Sequence, residues 1–275
     1  MSQLEQLKAE IKDEEILHDL ASAFTEISAA KIGVIKRRFE KNQSFFEEVS
    51  NLYRLVKSSS NLPTTVSKKV LAIAMTTNHR FYGVINLEVM KKFLREAKEQ
   101  NITRMVVGKI GISHLQSIDF KEPIEKIVLD KDVPKIEDFK KLLETAKKYQ
   151  KVLLFYPQFR TIYTQTPAVT DIAYSPTPAA QTTTEENFRF IFEPELPKIV
   201  EFFETQIRTI LLQRVLLEVE LSMTASRLQA MSRAKEHASE VLKSRRRELT
   251  KKTHSQINAR LLESLTRIGR RGMSC

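Results

Sequence analysis

The histidines and the single cysteine are the side chains of this sequence most able to do metal or acid-base chemistry. The five histidines are His18, His79, His114, His237 and His254, and no two are spaced as the paired ligands of a helical metal site. Cys275 is the only cysteine, which rules out an internal disulfide and a zinc site of several thiolates. Surface or interhelical positions are therefore favoured for these residues, and we expect no catalytic residue and no metal.

A phosphate loop would have its place in the stretch TTNHRFYGVIN (76–86), which follows an apolar run and precedes a helical pattern. Gly83 is its only glycine, so the dinucleotide fingerprint is missing. The later stretch GKIG (108–111) lacks the Gly-Lys-Ser/Thr ending of a P-loop. We therefore expect no nucleotide and no other cofactor on this chain.

The elements around this turn alternate between strand and helix. KKVLAIAMT (68–76) and TRMVVGKIG (103–111) are typical of buried strands, and NLEVMKKFLREAKEQ (86–100) has the period of a helix, which predicts a βαβ unit. A helix is predicted over 138–150, and KVLLFYPQF with RTIYTQTPAVTDIAY predicts two strands around a turn. A polar loop over 175–187 and a short strand, FRFIFEP, follow.

Two long helices enclose this α/β region. Residues 2–59 contain one glycine and no proline, and residues 198–268 contain neither. Apolar residues at steps of three and four predict one seam on each helix; the members are Leu17, Leu20, Phe24, Ile27, Ile35, Phe39, Phe46, Val49, Tyr53 and Val56 on the first, and Leu221, Leu228, Met231, Ala238, Leu242, Leu249, Ile257, Leu261, Leu265 and Ile268 on the second.

A narrow seam does not stabilise a lone helix in water, so the two helices are expected to pair antiparallel. The predicted fold class is α/β, with a long antiparallel coiled coil of N- and C-terminal helices and a central Rossmann-like α/β domain. The predicted domains are a first coiled-coil helix over 1–60, the central domain over 66–194 and a second coiled-coil helix over 195–275.

The positive charge is concentrated in the second helix. The net charge is +11, yet residues 1–60 hold nine Lys/Arg against ten Asp/Glu, whereas residues 208–275 hold fifteen against six. This asymmetry favours an acidic partner such as nucleic acid, anionic lipid or an acidic protein surface, and a merely solvated face is the alternative. The acidic N-terminus does not resemble a signal peptide, and no long apolar run is present, so a cytoplasmic location is expected.

Several motifs resemble the gamma subunit of the rotary ATP synthase over nearly the whole chain. KAEIKDEEILHDLASAFTEISAAKI (8–32) is similar to the family's first helix, and RLQAMSRAKEHA (227–238), continuing through INARLLESL (257–265), is similar to its last helix. VVGKIG, FYPQFRTIYTQTP and FEP fall in the family's order. The family's Ser-Asp-Arg-Gly-Leu-x-Gly-Gly turn is replaced by residues 77–84, which keep only Gly83.

The resemblance implies a non-catalytic central-stalk rotor that couples ion flow through a membrane c ring to ATP synthesis or hydrolysis in a hexamer of three alpha and three beta subunits. It also implies an epsilon partner and a peripheral place on the cytoplasmic face of the cell (inner) membrane. The implied hexamer contacts are Phe24, Lys243, Arg245, Arg246, Arg247, Lys251, Lys252, Thr253, His254, Asn258, Arg260, Leu261 and Leu265. Six basic residues from Lys243 to Lys252 are expected to push on acidic segments of the beta subunits.

Two other classes of function remain open at this stage. A basic coiled-coil adaptor or nucleic-acid-binding protein would lay the second helix on phosphate and would bind less tightly as salt rises. Against it, the basic residues are not interleaved with aromatic ones. An enzyme built on the middle domain is less favoured, since no acid-base, metal or nucleophile constellation is present.

Overall fold

The computed structural model describes residues 3–58, 70–98, 102–129, 144, 149, 151–172 and 196–271. The described elements are helix α1 (Gln3–Ser58), strand β1 (Val70–Met75), helix α2 (Ile85–Glu96), strand β2 (Ile102–Val107), helix α3 (Lys109–Ser117), strands β3 (Glu125–Ile127), β4 (Lys151–Phe159) and β5 (Gln165–Asp171), and helix α4 (Leu196–Arg271). The fold class is thus confirmed: long N- and C-terminal helices accompany a central mixed sheet.

Contacts divide the chain into two compact units. We call Met1–Ile27 with Leu228–Cys275 the helical unit, and Ser28–Arg227 the sheet unit. The predicted domain boundaries near residues 60 and 194 fall outside the described residues and stay a prediction. The predicted loop over 175–187, the strand FRFIFEP and, except for Glu144 and Tyr149, the helix over 138–150 lie outside them too.

The sheet has the order β3-β2-β1-β4-β5 among the described strands. β1 pairs parallel with β2 and with β4, and β2 pairs parallel with β3. The β4–β5 pair is antiparallel. The predicted βαβ unit and the hairpin of β4 and β5 are therefore confirmed. β1 is a continuous apolar run because both faces of the sheet are covered.

Helices cover the sheet on both faces within the sheet unit. Ala72, Ala74, Val106 and Phe155 pack with α2 and α3 on one face. On the other face, a cluster of strand residues packs against α4; the α4 residues are Leu212, Val215, Leu216, Val219 and Met223. α4 is thus one layer of the sheet domain's core along this stretch.

One sequence prediction about β2 is wrong. The stretch 103–111 was expected to be a strand throughout, but β2 ends at Val107 and α3 begins at Lys109. Gly108 separates them with φ of 101°, a conformation that residues with a side chain rarely adopt. The chain therefore changes from strand to helix at this glycine.

The predicted seam of α1 is confirmed at Ile35, Phe39, Phe46, Val49 and Tyr53 and is wrong in the first half of the helix. One series of its buried and half-buried positions runs in alternating steps of four and three along the helix: Leu7, Ile11, Glu14, His18, Ala21, Thr25, Ser28, Ile32, Ile35, Phe39, Asn42, Phe46, Val49 and Tyr53. Leu17, Leu20 and Ile27, which the sequence assigned to the seam, are exposed at 54%, 46% and 49%. α1 carries two apolar series with a heptad spacing, and only one of them can face a single partner helix.

The two long helices pair in each unit. In the helical unit, Leu7 and Ile11 of α1 pack with Leu242 and Leu249 of α4. In the sheet unit, Tyr53 packs with Ile207 and Phe203, while Ser28 contacts Arg227. Residue numbers there rise along α1 as they fall along α4, so the helices run antiparallel.

Candidate functional site

The amino end of α3 lies at the carboxyl edge of the parallel strands, where a phosphate would bind in a nucleotide-binding fold. Its first backbone N–H groups already have partners in this chain. Lys109 N donates to Asn78 Oδ1 at 3.1 Å, Ile110 N to the Thr77 carbonyl at 3.0 Å, and Gly111 N to Thr76 Oγ1 at 3.0 Å. The segment after β1 thus occupies the amides that a phosphate would need.

Close packing explains the glycines of GKIG. A Cβ on Gly108 would lie 2.3 Å from the Thr76 carbonyl oxygen, and one on Gly111 would lie 2.7 Å from Thr76 Oγ1. Thr76 Oγ1 also donates to the Val107 carbonyl at 2.6 Å, so this hydroxyl ties β1, β2 and α3 together. Both glycines are required by the approach of Thr76 and need no ligand to account for them.

The turn before α2, residues 77–84, contains a single glycine, Gly83. Gly83 has φ of 59°, whereas Val84 precedes α2 with φ of −90°, which any residue adopts. Tyr82 from this turn is buried, and the Arg227 guanidinium lies 5.5 Å from its ring centroid. Arg227 also donates from Nε to Ser28 Oγ at 3.0 Å, so the turn, α1 and α4 meet at this arginine.

The basic segment of α4 in the helical unit divides into two sets. The Arg245 guanidinium lies 3.6 Å from Glu10 Oε2 of α1 and 3.2 Å from Glu248 Oε2 of α4. Arg246 Nη2 lies 2.6 Å from Glu15 Oε1 of α1. Lys252 Nζ lies 2.9 Å from Glu248 Oε1. Hydrogen bonds from Lys252 and Arg245 lower the pKa of the Glu248 carboxyl. Three of the six predicted contact charges therefore already have carboxylate partners within this chain.

Lys243, Arg247 and Lys251 form the other set, which we call the open basic stripe. They are spaced four residues apart, so they lie along one side of the helix. All three are exposed, and none has an ion pair within the described part of the chain. The stripe is the portion of the basic segment that is free to meet an acidic partner.

The described part of α4 after Lys252 is exposed, so the seam predicted at Ile257, Leu261 and Leu265 is not buried among the described residues. Every residue over 253–266 is exposed, including the predicted contacts Thr253, His254, Asn258 and Arg260. Four large apolar side chains lie among them, Ile257, Leu261, Leu262 and Leu265, with exposed fractions of 47%, 55%, 63% and 62%. Apolar side chains so exposed at helical spacing mark a surface for another protein. We call these four the apolar tip.

α1 adds an apolar surface that sequence reasoning missed. Ile16, Leu17, Leu20 and Ile27 are exposed in the helical unit, whereas the predicted contact Phe24 is half-buried. The signal was present in the sequence, since α1 has more apolar residues at heptad spacing than one seam can bury. Leu17, Leu20 and Ile27 of this surface were assigned to the seam instead.

Two further observations limit the chemistry of the described ranges. No group of three or more His, Cys, Asp or Glu side chains comes together there as a set of metal ligands. Among the helices described, none combines the length and apolar content needed to cross a membrane.

These features define a class of protein: a chain whose long terminal helices carry exposed basic and apolar surfaces and flank an α/β domain in the sequence. A family model described as "ATP synthase" matches residues 3–265. The chain therefore belongs to the ATP synthase gamma-chain family.

Curated relatives agree with this assignment. An ATP synthase gamma chain of Pelagibacter ubique is 23% identical over 97% of this chain and 98% of its own length. One of Dictyoglomus thermophilum is 26% identical over 96% of each chain. The fold is similar to a chain in the rotor of the Euglena gracilis mitochondrial ATP synthase, with a TM-score of 0.62, 16% identity and coverage of 92% of this chain and 98% of that one.

Proposed function

We propose that this chain is the central-stalk rotor of a rotary ATP synthase. It passes torque between a membrane c ring and a hexamer of three alpha and three beta subunits, which holds the ATP chemistry. It contributes no catalytic residue, which agrees with the occupied amides at the start of α3. The epsilon subunit binds at the sheet domain, and the complex places the chain at the cytoplasmic face of the cell membrane, as a peripheral subunit.

The observation that carries this proposal is the contrast along α4. Its stretch over 207–226 is mostly buried in the sheet unit, whereas every residue over 253–266 is exposed in the helical unit. A rotor needs one part of a helix fixed to the domain that receives torque and another part presented to the subunits that it drives. α4 has both.

The contacts with the hexamer are proposed at the open basic stripe and the apolar tip. Lys243, Arg247 and Lys251 face acidic segments of the beta subunits, and the tip sits in an apolar collar. Thr253 and His254 lie between these surfaces in the sequence, Asn258 and Arg260 lie between Ile257 and Leu261 of the tip, and all four are exposed. Exposed ion pairs contribute about 0–1 kcal/mol each, which suits a contact that must form and release in every turn.

Arg245, Arg246 and Lys252 have a different role in this proposal. Arg245 and Arg246 pair with Glu10 and Glu15 of α1, so they stabilise the pairing of the two helices and add bulk to the rotor surface. Lys252 pairs with Glu248 within α4. Phe24 is half-buried and contributes its exposed edge next to Leu17, Leu20 and Ile27 of α1.

Purification of the tagged full-length chain from its native cells tests this function. We expect alpha and beta chains in threefold excess over the tagged chain, together with ATP hydrolysis in the same fraction. Recovery of nucleic acid, with a yield that falls steeply as salt rises, would contradict the rotor and support the basic adaptor instead.

A further inference from the structure

A carboxyl group is buried where α4 packs on the sheet. Glu218 is 5% exposed and lies among Val215, Leu216 and Val219 on the face of α4 that covers the strands. Carboxylates are almost never buried to this degree unless a partner holds them. No contact with another subunit can account for a side chain inside the sheet unit.

Glu218 is held by the sheet. Tyr156 of β4 donates from its hydroxyl to Glu218 Oε2 at 3.2 Å, and the same hydroxyl lies 3.2 Å from Thr170 Oγ1 of β5. The Phe159 backbone N–H also hydrogen-bonds the carboxyl. Burial raises the pKa of Glu218, opposed by the Tyr156 hydrogen bond and the charges of Arg214 and Arg160. Burial also raises the pKa of Tyr156, to about 12.

The same junction reaches α1 through Arg214. This residue lies one turn before Glu218 on α4, and its guanidinium stands 5.5 Å from the Phe46 ring centroid of α1. Its Nε is buried and has no hydrogen-bond partner among the described residues. Charged and polar groups of α4 therefore meet β4, β5 and α1 within two helical turns of one another.

Apolar packing alone does not fix how α4 is turned on the sheet. The contacts of Leu212, Val215, Leu216, Val219 and Met223 with the strands are non-directional, so rotating the helix or shifting its register exchanges one set of apolar contacts for another. A hydrogen bond is directional and fails when its donor and acceptor move apart. A buried polar group that loses its partner costs free energy. The hydrogen bond therefore destabilises every register of α4 in which its donor and acceptor are apart.

We propose that Glu218 and Tyr156 are positioning residues that lock α4 in one rotational register on the sheet, so that torque passes between the two without slip. This inference rests on the proposed rotor function for its consequence, though the lock itself is a property of the isolated chain. Thr170 orients the Tyr156 hydroxyl, and Arg214 balances the charge of the carboxylate.

The register is measured in the isolated full-length chain by the distance between two nitroxide labels. Lys151→Cys on β4 and Gln213→Cys on α4 are exposed positions for the labels, in a Cys275→Ser background because Cys275 is the only native cysteine. We expect one narrow distance distribution with Glu218 and Tyr156 in place. The double variant Glu218→Met with Tyr156→Phe replaces the pair by apolar groups of similar size, and it should broaden the distribution or split it in two.

Coupling is measured in the assembled complex as ions pumped per ATP hydrolysed. Glu218→Met alone leaves Tyr156 without its acceptor and should lower the melting temperature, while the double variant should recover most of that loss. We nevertheless expect the double variant to pump at least about twofold fewer ions per ATP, because no directional contact between these two positions then holds α4 in one register. Glu218→Gln keeps an acceptor for Tyr156 and should keep most of the coupling.

Val219→Ala is the matched control, since it removes buried volume next to the lock without touching a polar group. It should lower the melting temperature and leave both the label distances and the ions per ATP unchanged. A double variant with a single narrow distribution and full coupling would overturn the lock. A wild-type complex that hydrolyses ATP without pumping would instead refute the rotor function, and the distance measurement would still decide the lock.

Discussion

Two stretches of α4 have similar apolar side chains and opposite environments. Over 207–226 the helix packs on the sheet, and Leu212 is 2% exposed. Over 253–266 it carries leucines just as large, yet Leu262 is 63% exposed. The apolar content of a helix therefore does not decide its burial, because burial also needs a partner face within the same chain. The second stretch has no such face among the described residues.

The comparison is sharpest when the same substitution is made in both stretches. Leu212→Ala removes a buried side chain and should lower the free energy of unfolding by about 2–5 kcal/mol. Leu262→Ala at the apolar tip should change it by less than about 0.5 kcal/mol. Chemical denaturation of the two isolated variants measures both values, and a large loss for Leu262→Ala would mean that the tip is covered within the chain.

Gly108 and Gly33 differ in the space around them, so the same substitution should have opposite effects on stability. Gly108→Ala places a Cβ 2.3 Å from the Thr76 carbonyl oxygen at a positive φ, and it should cost about 1–3 kcal/mol of stability. Gly33 lies in α1 with nothing within 4 Å of an added Cβ, so Gly33→Ala should stabilise by about 0.5–1 kcal/mol. Thermal unfolding measures both, and equal effects of the two changes would refute the close approach at α3.

The buried carboxyl of the packed stretch predicts a pH dependence. Burial raises the folded-state pKa of Glu218 above 4.5, its ordinary value, so the folded state binds the proton more tightly than the unfolded state. The contribution of Glu218 to stability is therefore greatest below pH 4.5 and declines as pH rises through the folded-state pKa.

Glu218→Gln removes this titration and isolates its effect. The stability of the wild type relative to this variant should fall as pH rises from about 4.5, the reference value for a glutamate carboxyl. Unfolding of both chains at matched ionic strength over a pH series measures the difference. If the unfolding free energy of the wild type instead rose with pH relative to that of Glu218→Gln, the carboxylate would be stabilised by its neighbours. The folded-state pKa of Glu218 would then be lowered and not raised.

The exposed stretch and its flank should give smaller effects on stability. Arg246→Ala loses an ion pair with Glu15 in which both side chains are largely exposed, so it should cost about 0.2–1 kcal/mol, and less at high salt. Unfolding at low and high salt checks this expectation. A loss that salt does not change would assign the effect to packing of the arginine stem instead.

The open basic stripe should show the smallest effect on stability and a clear effect on coupling. Lys243→Ala, Arg247→Ala and Lys251→Ala together should leave the unfolding free energy within about 0.5 kcal/mol, since no ion pair in the described part of the chain is lost. In the assembled complex the triple variant should pump fewer ions per ATP than Arg246→Ala does. Full coupling in the triple variant would remove the stripe from the hexamer contact.

Much of the fold could be predicted from sequence because its elements are long or strongly patterned. The two long helices, β1, α2, β2 and the hairpin of β4 and β5 all have local signals that agree with their final structure. α3 was missed because GKIG continues an apolar, β-branched run. Its start is set by Asn78 and Thr76, which are 31 and 35 residues away in sequence from their partners.

The candidate site could be predicted only in part, for a related reason. The sequence located the basic segment, but the separation of Arg246 from Arg247 depends on Glu15, 231 residues before Arg246. The phase of the α1 seam likewise depends on which of two apolar series α4 meets. Glu218 gave no signal, because a glutamate in a long helix is ordinarily solvated and only the sheet makes it a buried group.

Rotation of this chain in the assembled complex can be observed directly. In the Cys275→Ser background, a bead attached through Lys109→Cys, an exposed position on the sheet domain, reports the motion of a single assembled complex held by its hexamer. On addition of ATP we predict sustained rotation in one direction that stops when ATP is removed. ATP hydrolysis by the same complexes with a stationary or randomly turning bead would contradict the rotor function.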